Sequence, residues 1–183
     1  MKSTIIIPLG LIVFMGACRS KQVAVVQKDP MGAIAAQAGN PYYSRSDTTV
    51  LHVPDSIWKT ILPDSIYRVA REKETELAFT GKYWNYTGLG VYYCVVCGNA
   101  LFRSDEKFSS SCGWPSFFET MRANAVIYQD DHSYGMERIE VLCGRCQSHL
   151  GHLFDDGPPP TGKRYCMNSI VLDFVPDGNA ENK

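Results

Sequence analysis

Polar and apolar positions divide the chain into stretches of different character. Residues 1–17 carry Lys2, an apolar run from Ile5 to Phe14, and then Met15-Gly16-Ala17. A helix needs about 20 apolar residues to cross a bilayer, so this run is short for a permanent span and has the layout of a signal peptide. Residues 18–50 are rich in Ala, Gln, Gly, Ser and Asn and hold no sustained apolar period, which predicts a flexible tether. Residues 51–176 carry the periodic apolar positions of a folded domain, and 177–183 form a short polar tail.

Within the domain, helix signals run from Val53 to Phe79. Asp55-Ser56 precedes Ile57-Trp58, and Pro63-Asp64-Ser65 opens Ile66 to Arg71 with proline suited to a first turn. After Gly81 the pattern changes to strands and turns. Val91-Tyr92-Tyr93, Ala100-Leu101-Phe102 and Ala125 to Tyr128 are β-rich, and Arg138 to Leu142 alternates like a strand with one wet face. Asp156 to Gly162 is too rich in Gly and Pro for either regular element and predicts a loop. One last strand is expected from Tyr165 to Phe174. Strands without long intervening helices favour a mainly β, antiparallel domain over a doubly wound α/β sheet.

At 183 residues and a net charge of -1 the chain fits one such domain with appendages, and no basic patch points to nucleic acid. No nicotinamide or flavin motif occurs. The chemistry lies in seven cysteines. Cys94-x-x-Cys97 and Cys143-x-x-Cys146 each make a tight knuckle, with Gly98 and Gly144 relieving the backbone. Brought together they supply the four thiolates of a tetrahedral zinc site. Two disulfides, a thioredoxin-type redox motif without its βαβ context, or an iron site are the alternatives. Cys18 follows Gly-Ala at the end of the apolar run, as in a bacterial lipoprotein signal. That predicts a lipid anchor in the cell envelope, against an ordinary cleaved signal with an incidental cysteine.

Cys112 and Cys166 remain, in Ser-Cys-Gly-Trp-Pro-Ser-Phe and Arg-Tyr-Cys-Met-Asn-Ser. His149 and His152 stand three apart, so a strand needs a bend or bulge to bring them to one face, and Gly151 offers it. Each of these residues alone reads as core or surface.

Together, Gly90-Val91-Tyr92-Tyr93-Cys94-x-x-Cys97, Leu101-Phe102, Lys107-Phe108, Cys112 to Phe117, Cys143-x-x-Cys146, His149-Leu150-Gly151-His152 and Arg164-Tyr165-Cys166-x-Asn168-Ser169 resemble the methionine-R-sulfoxide reductase family in order and spacing. The resemblance spans about Ile66 to Phe174. It implies a β-tent of two distorted antiparallel sheets with short N-terminal helices, stapled by structural zinc on Cys94, Cys97, Cys143 and Cys146. It implies reduction of the R epimer of methionine sulfoxide in proteins or peptides. Cys166 would be the nucleophile and Cys112 the resolving thiol. His149, His152 and Asn168 would organise the sulfoxide oxygen, Trp114 would wall the S-methyl group, and a thioredoxin-like dithiol would recycle a monomeric enzyme. Ser111 departs from the family's usual glycine and is expected to stiffen or shift the loop carrying Cys112. The rivals are a zinc-knuckle β-tent module that binds without catalysis, and a general oxidoreductase using the CxxC pairs.

Overall fold

The structure is a computed structural model and describes residues 39–178. The signal segment 1–17, Cys18, the first part of the tether and the end of the C-terminal tail lie outside the described residues. Among those described, no helix is long and apolar enough to cross a membrane.

Two short helices open the domain, α1 (Asp55–Ile61) and α2 (Asp64–Ala70). Pro63 separates them. A residue before proline avoids the helical region, and Leu62 accordingly turns to ψ 142. Pro63 sits just outside α2, at its N-cap, rather than in its first turn. Helix ends at Ala70, and 71–89, which the sequence reads partly as helix, is irregular.

Nine strands follow: β1 (Gly90–Cys94), β2 (Ala100–Arg103), β3 (Lys107–Phe108), β4 (Ser116–Phe117), β5 (Val126–Asp131), β6 (Arg138–Cys143), β7 (His149–Phe154), β8 (Arg164–Met167) and β9 (Leu172–Pro176). They form two antiparallel sheets, β2-β1-β9 and β3-β4-β8-β7-β6-β5. The mainly β, antiparallel fold expected from the sequence is what is found. The final strand differs. A 3-10 turn at Ser169–Val171 breaks it, sending β8 to one sheet and β9 to the other.

Aromatic rings join the sheets. Phe117 of β4 stacks on Phe102 at 4.4 Å and meets Tyr92 edge-on at 5.0 Å, while Tyr92 lies 4.8 Å from Phe174. Such ring pairs add about 0.5–1.5 kcal/mol each beyond the area they bury. The expected alternation does not hold in β6, where Ile139 is exposed while Glu140, Val141 and Leu142 are all buried.

Residues 39–50, read as tether, pack on the domain. Asn40 Nδ2 donates to the Val96 carbonyl, Ser44 N to that of Cys97, and Tyr42 meets Trp58 edge-on. Buried Arg145 donates to the Tyr42 and Cys97 carbonyls and pairs with Asp47.

Candidate active site and metal centre

The register sets one row of side chains across the large sheet. Ser116 of β4 pairs with Cys166 of β8, Cys166 with His152 of β7, and His152 with Glu140 of β6. Opposed residues share a face, so the row concentrates polar groups on one side. The β6–β7 register slips between Val141 and Leu142: Gly151 opposes Val141, His149 opposes Leu142, and Leu150 is the extra residue. This bulge brings His149 back towards His152, with ring centroids 5.4 Å apart, as Gly151 suggested.

Cys112 reaches the row from the loop before β4. Its Sγ lies 3.4 Å from Cys166 Sγ and 3.4 Å from Ser116 Oγ. Ser111 keeps a negative φ and does not hold Cys112 away. The hydrogen bond from Cys166, helped against burial by Ser110 and Ser116, brings the Cys112 thiol down to about 4. Cys166 is pushed up, first by that bond and then by burial and the Cys112 charge, with Arg164 pulling the other way. Two thiols this close titrate as a coupled pair.

The histidines are each held by a carboxylate that the sequence did not single out. His149, 2% exposed, sets Nδ1 2.7 Å from Glu140, and Lys73 Nζ bonds the same carboxylate at 2.7 Å. Burial opposes ionisation of Glu140, but these two bonds hold its carboxyl below the usual range. His149 Nε2 is buried with no partner among the described residues. His152 Nε2 lies 2.8 Å from Asp131, which also pairs with Arg138. Hydrogen bonds from Ser133, then from His152 and Arg138, hold Asp131 well below the usual carboxylate range. Burial lowers His152 below its ordinary value although the Asp131 bond works against it.

Asn168 is largely committed to backbone. Its Oδ1 accepts from Glu76 N, and its Nδ2 donates to the carbonyl of the bulged Leu150. Glu76 is a second anchor outside the sequence reading. Its carboxylate receives the N–H groups of Ser169 and Ile170, and its carbonyl accepts Trp114 Nε1 at 3.2 Å. The irregular 71–80 segment thereby covers the row. Cys166, Trp114, His152, Asn168, Phe154 and Arg138 face a pocket of about 110 Å³.

The CxxC knuckles are parallel in construction. Gly98 N bonds the Cys94 carbonyl and Gln147 N that of Cys143, and these following residues have φ 78 and 58. The left-handed position of the second knuckle is therefore Gln147, not Gly144. Gly144 serves close packing instead: a Cβ there would lie 2.2 Å from the Asn124 carbonyl. The four buried sulfurs lie within 4.8 Å of one another, with Cys94–Cys146 at 3.7 Å and Cys97–Cys143 at 3.6 Å. A metal–sulfur bond of 2.3 Å gives a tetrahedral edge of about 3.8 Å, whereas a disulfide needs about 2.0 Å. The donor set and spacing fit a metal ion.

A family model described as the SelR domain matches residues 62–176. Peptide methionine sulfoxide reductase MsrB of Thiobacillus denitrificans is 53% identical over 122 residues, covering 67% of this chain and 92% of that protein. Its counterpart in Azotobacter vinelandii is 51% identical over 120 residues, 66% and 90% of the two chains. Methionine-R-sulfoxide reductase B3, mitochondrial, of Mus musculus is 52% identical over 115 residues, 63% of this chain and 46% of that one. With its two antiparallel sheets, its four clustered thiols and these relatives, the chain belongs to the SelR-domain family of MsrB methionine-R-sulfoxide reductases.

Proposed function

We propose that the chain reduces methionine-R-sulfoxide in proteins or peptides to methionine, with Cys166 as the nucleophile. The observation that carries the reading is a thiol in a small aromatic-walled pocket with a second thiol 3.4 Å away. A proton passes from Cys166 to Cys112, and the Cys166 thiolate attacks the sulfoxide sulfur, since the thiolate is the competent form. The attack forms a sulfur–sulfur bond and the sulfoxide oxygen departs as water; water then attacks Cys166 Sγ and breaks that bond, leaving methionine, its sulfur reduced by two electrons, and Cys166 sulfenic acid, for one proton taken up overall. His152 and His149 supply and relay the proton this reduction needs, and Trp114 packs on the S-methyl group. Asn168 holds the bulge and the covering segment in place. Cys112 then displaces water from the sulfenic acid to form a disulfide, and a thioredoxin-like dithiol reduces it. Both cysteines lie in one chain, so a monomer suffices.

The ion on Cys94, Cys97, Cys143 and Cys146 is read as structural zinc, because four thiolates in a closed, buried tetrahedron suit it. Cys18, directly after the short apolar run, is read as a lipidated residue that places the enzyme at the cell envelope. Its Ser variant should leave the membrane with activity intact.

The test is turnover of separated R and S epimers of N-acetyl-methionine sulfoxide with a chemical dithiol. Reduction of R alone is expected, and activity confined to S would overturn the reading. A binding module without catalysis would reduce neither.

A further inference from the structure

Thr75, Arg138 and His152 line the Cys166 pocket and also a neighbouring cleft of about 840 Å³. That cleft lies between the segment from Arg68 to Thr75 and the tip of the β5–β6 hairpin. A methionine whose sulfur reaches Cys166 fills the small pocket with the end of its side chain. Thr75, Arg138 and His152 give the polypeptide carrying it a path from the small pocket into the larger cleft.

The larger cleft has two features that the fold does not use. Its three cations are each paired: Arg68 with Glu74 at 2.7 Å, Lys73 with Glu140 at 2.7 Å, and Arg138 with Asp131 at 2.6 Å. The fourth carboxylate, exposed Glu72, feels the Arg68 charge but makes no salt bridge among the described residues, so the carboxylates lining the cleft outnumber its Lys and Arg side chains by one. At the hairpin tip Tyr134 is 90% exposed and held at φ 55. A left-handed conformation costs a bulky residue on the order of 1 kcal/mol, and a ring standing in water returns nothing to folding. Aromatic rings kept this way are suited to contact with a ligand.

We propose that this cleft holds the polypeptide flanking the oxidised methionine and selects substrates with a basic residue beside it. Glu72 attracts the ammonium or guanidinium, and Tyr134 packs on the aliphatic stem. The inference rests on Cys166 being the reacting thiol, and it names the class of protein substrate the enzyme takes: oxidised methionines in basic, solvent-exposed segments.

Blocked pentapeptides with central methionine-R-sulfoxide and Lys, Ala or Glu on both sides test it, with N-acetyl-methionine-R-sulfoxide as the reference and a small dithiol as reductant. The Lys peptide should exceed the Glu peptide in kcat/KM by about two- to five-fold, the size expected of an exposed ion pair. The preference should shrink as salt rises. Glu72→Gln should bring the Lys-to-Glu ratio close to one, and Tyr134→Ala should lower the ratio of Lys peptide to reference. Equal kcat/KM for the two peptides, or a charge preference that survives Glu72→Gln, overturns the inference. A chain inactive on the reference compound refutes the proposed function instead.

Discussion

Two sulfurs 3.4 Å apart do not titrate independently, so a change at one is read at the other. The bond from Cys112 and its charge are the first and third causes holding the Cys166 thiol up, with burial between them. Cys112→Ser removes both, and the midpoint for alkylation of Cys166 should move to lower pH. An unmoved midpoint would contradict the coupling. The same variant should release about one methionine per enzyme in a single turnover, because the first attack needs Cys166 alone. It should lose thioredoxin-dependent recycling, while Cys166→Ser should release nothing with any reductant. At the histidines, Asp131→Asn removes a charge and a charged bond that raise His152 against its burial, so the His152 pKa is lowered further below its ordinary value. If protonated His152 serves the departing oxygen, kcat/KM falls as pH rises through that pKa, and the variant's fall should begin at lower pH. The cysteines, histidines, Trp114 and Asn168 stood out through the motifs that carry the family resemblance, each alone reading as core or surface. Glu140, Asp131 and Glu76 did not, since each acts through a partner distant in sequence, and alternation along β6 pointed Glu140 towards water.

Elements decide whether those residues meet. The β7 bulge turns a three-residue histidine spacing, wrong for a flat strand, into one cluster, and Gly151 lets β7 approach β8 there. A Cβ on residue 151 would lie 2.1 Å from the Cys166 carbonyl and 2.9 Å from Met167 Cα, backbone atoms that cannot rotate away. Gly151→Ala must therefore separate the strands at the His152–Cys166 pair. The strain should cost about 1–3 kcal/mol of stability. Activity on N-acetyl-methionine-R-sulfoxide should fall by more than ten-fold while bound metal stays at the parent level, a comparison that separates local displacement from unfolding. Full activity would show that the close approach is unimportant. The sequence marked this bend through its glycine, and it marked the short helices and most strands. It missed the split between β8 and β9, because Tyr165 to Phe174 is β-prone throughout and the turn between them is held by long-range bonds, Glu76 to the Ser169 and Ile170 N–H groups among them. The irregular 71–80 segment is held by the same long-range bonds, which local propensity does not report.

Across the whole molecule the four-cysteine site spans the two sheets, since Cys94 ends a strand of the small sheet and Cys143 a strand of the large one. Serine at Cys94, Cys97, Cys143 or Cys146 should damage folding before chemistry, because metal binding and folding are coupled. A soluble, active, metal-free variant would refute that. Residues 40–50 pack against the same site. Polar and aperiodic, they have the sequence of a tether, yet Arg145, inside the second knuckle, donates to the Tyr42 and Cys97 carbonyls and pairs with Asp47. Gly98 keeps room for this strap, whose Ser44 carbonyl would lie 2.6 Å from a Cβ there. Arg145→Ala leaves the buried Cys97 carbonyl with one fewer donor and frees the strap. Losing such bonds costs about 1–3 kcal/mol. Since the strap lies on the knuckles rather than on Cys166, the loss should appear as faster metal release to a colorimetric chelator and a lower midpoint in urea. Initial activity of the metal-loaded variant should be little changed. Metal release at the parent rate would mean that residues 40–50 rest on the knuckles without securing them.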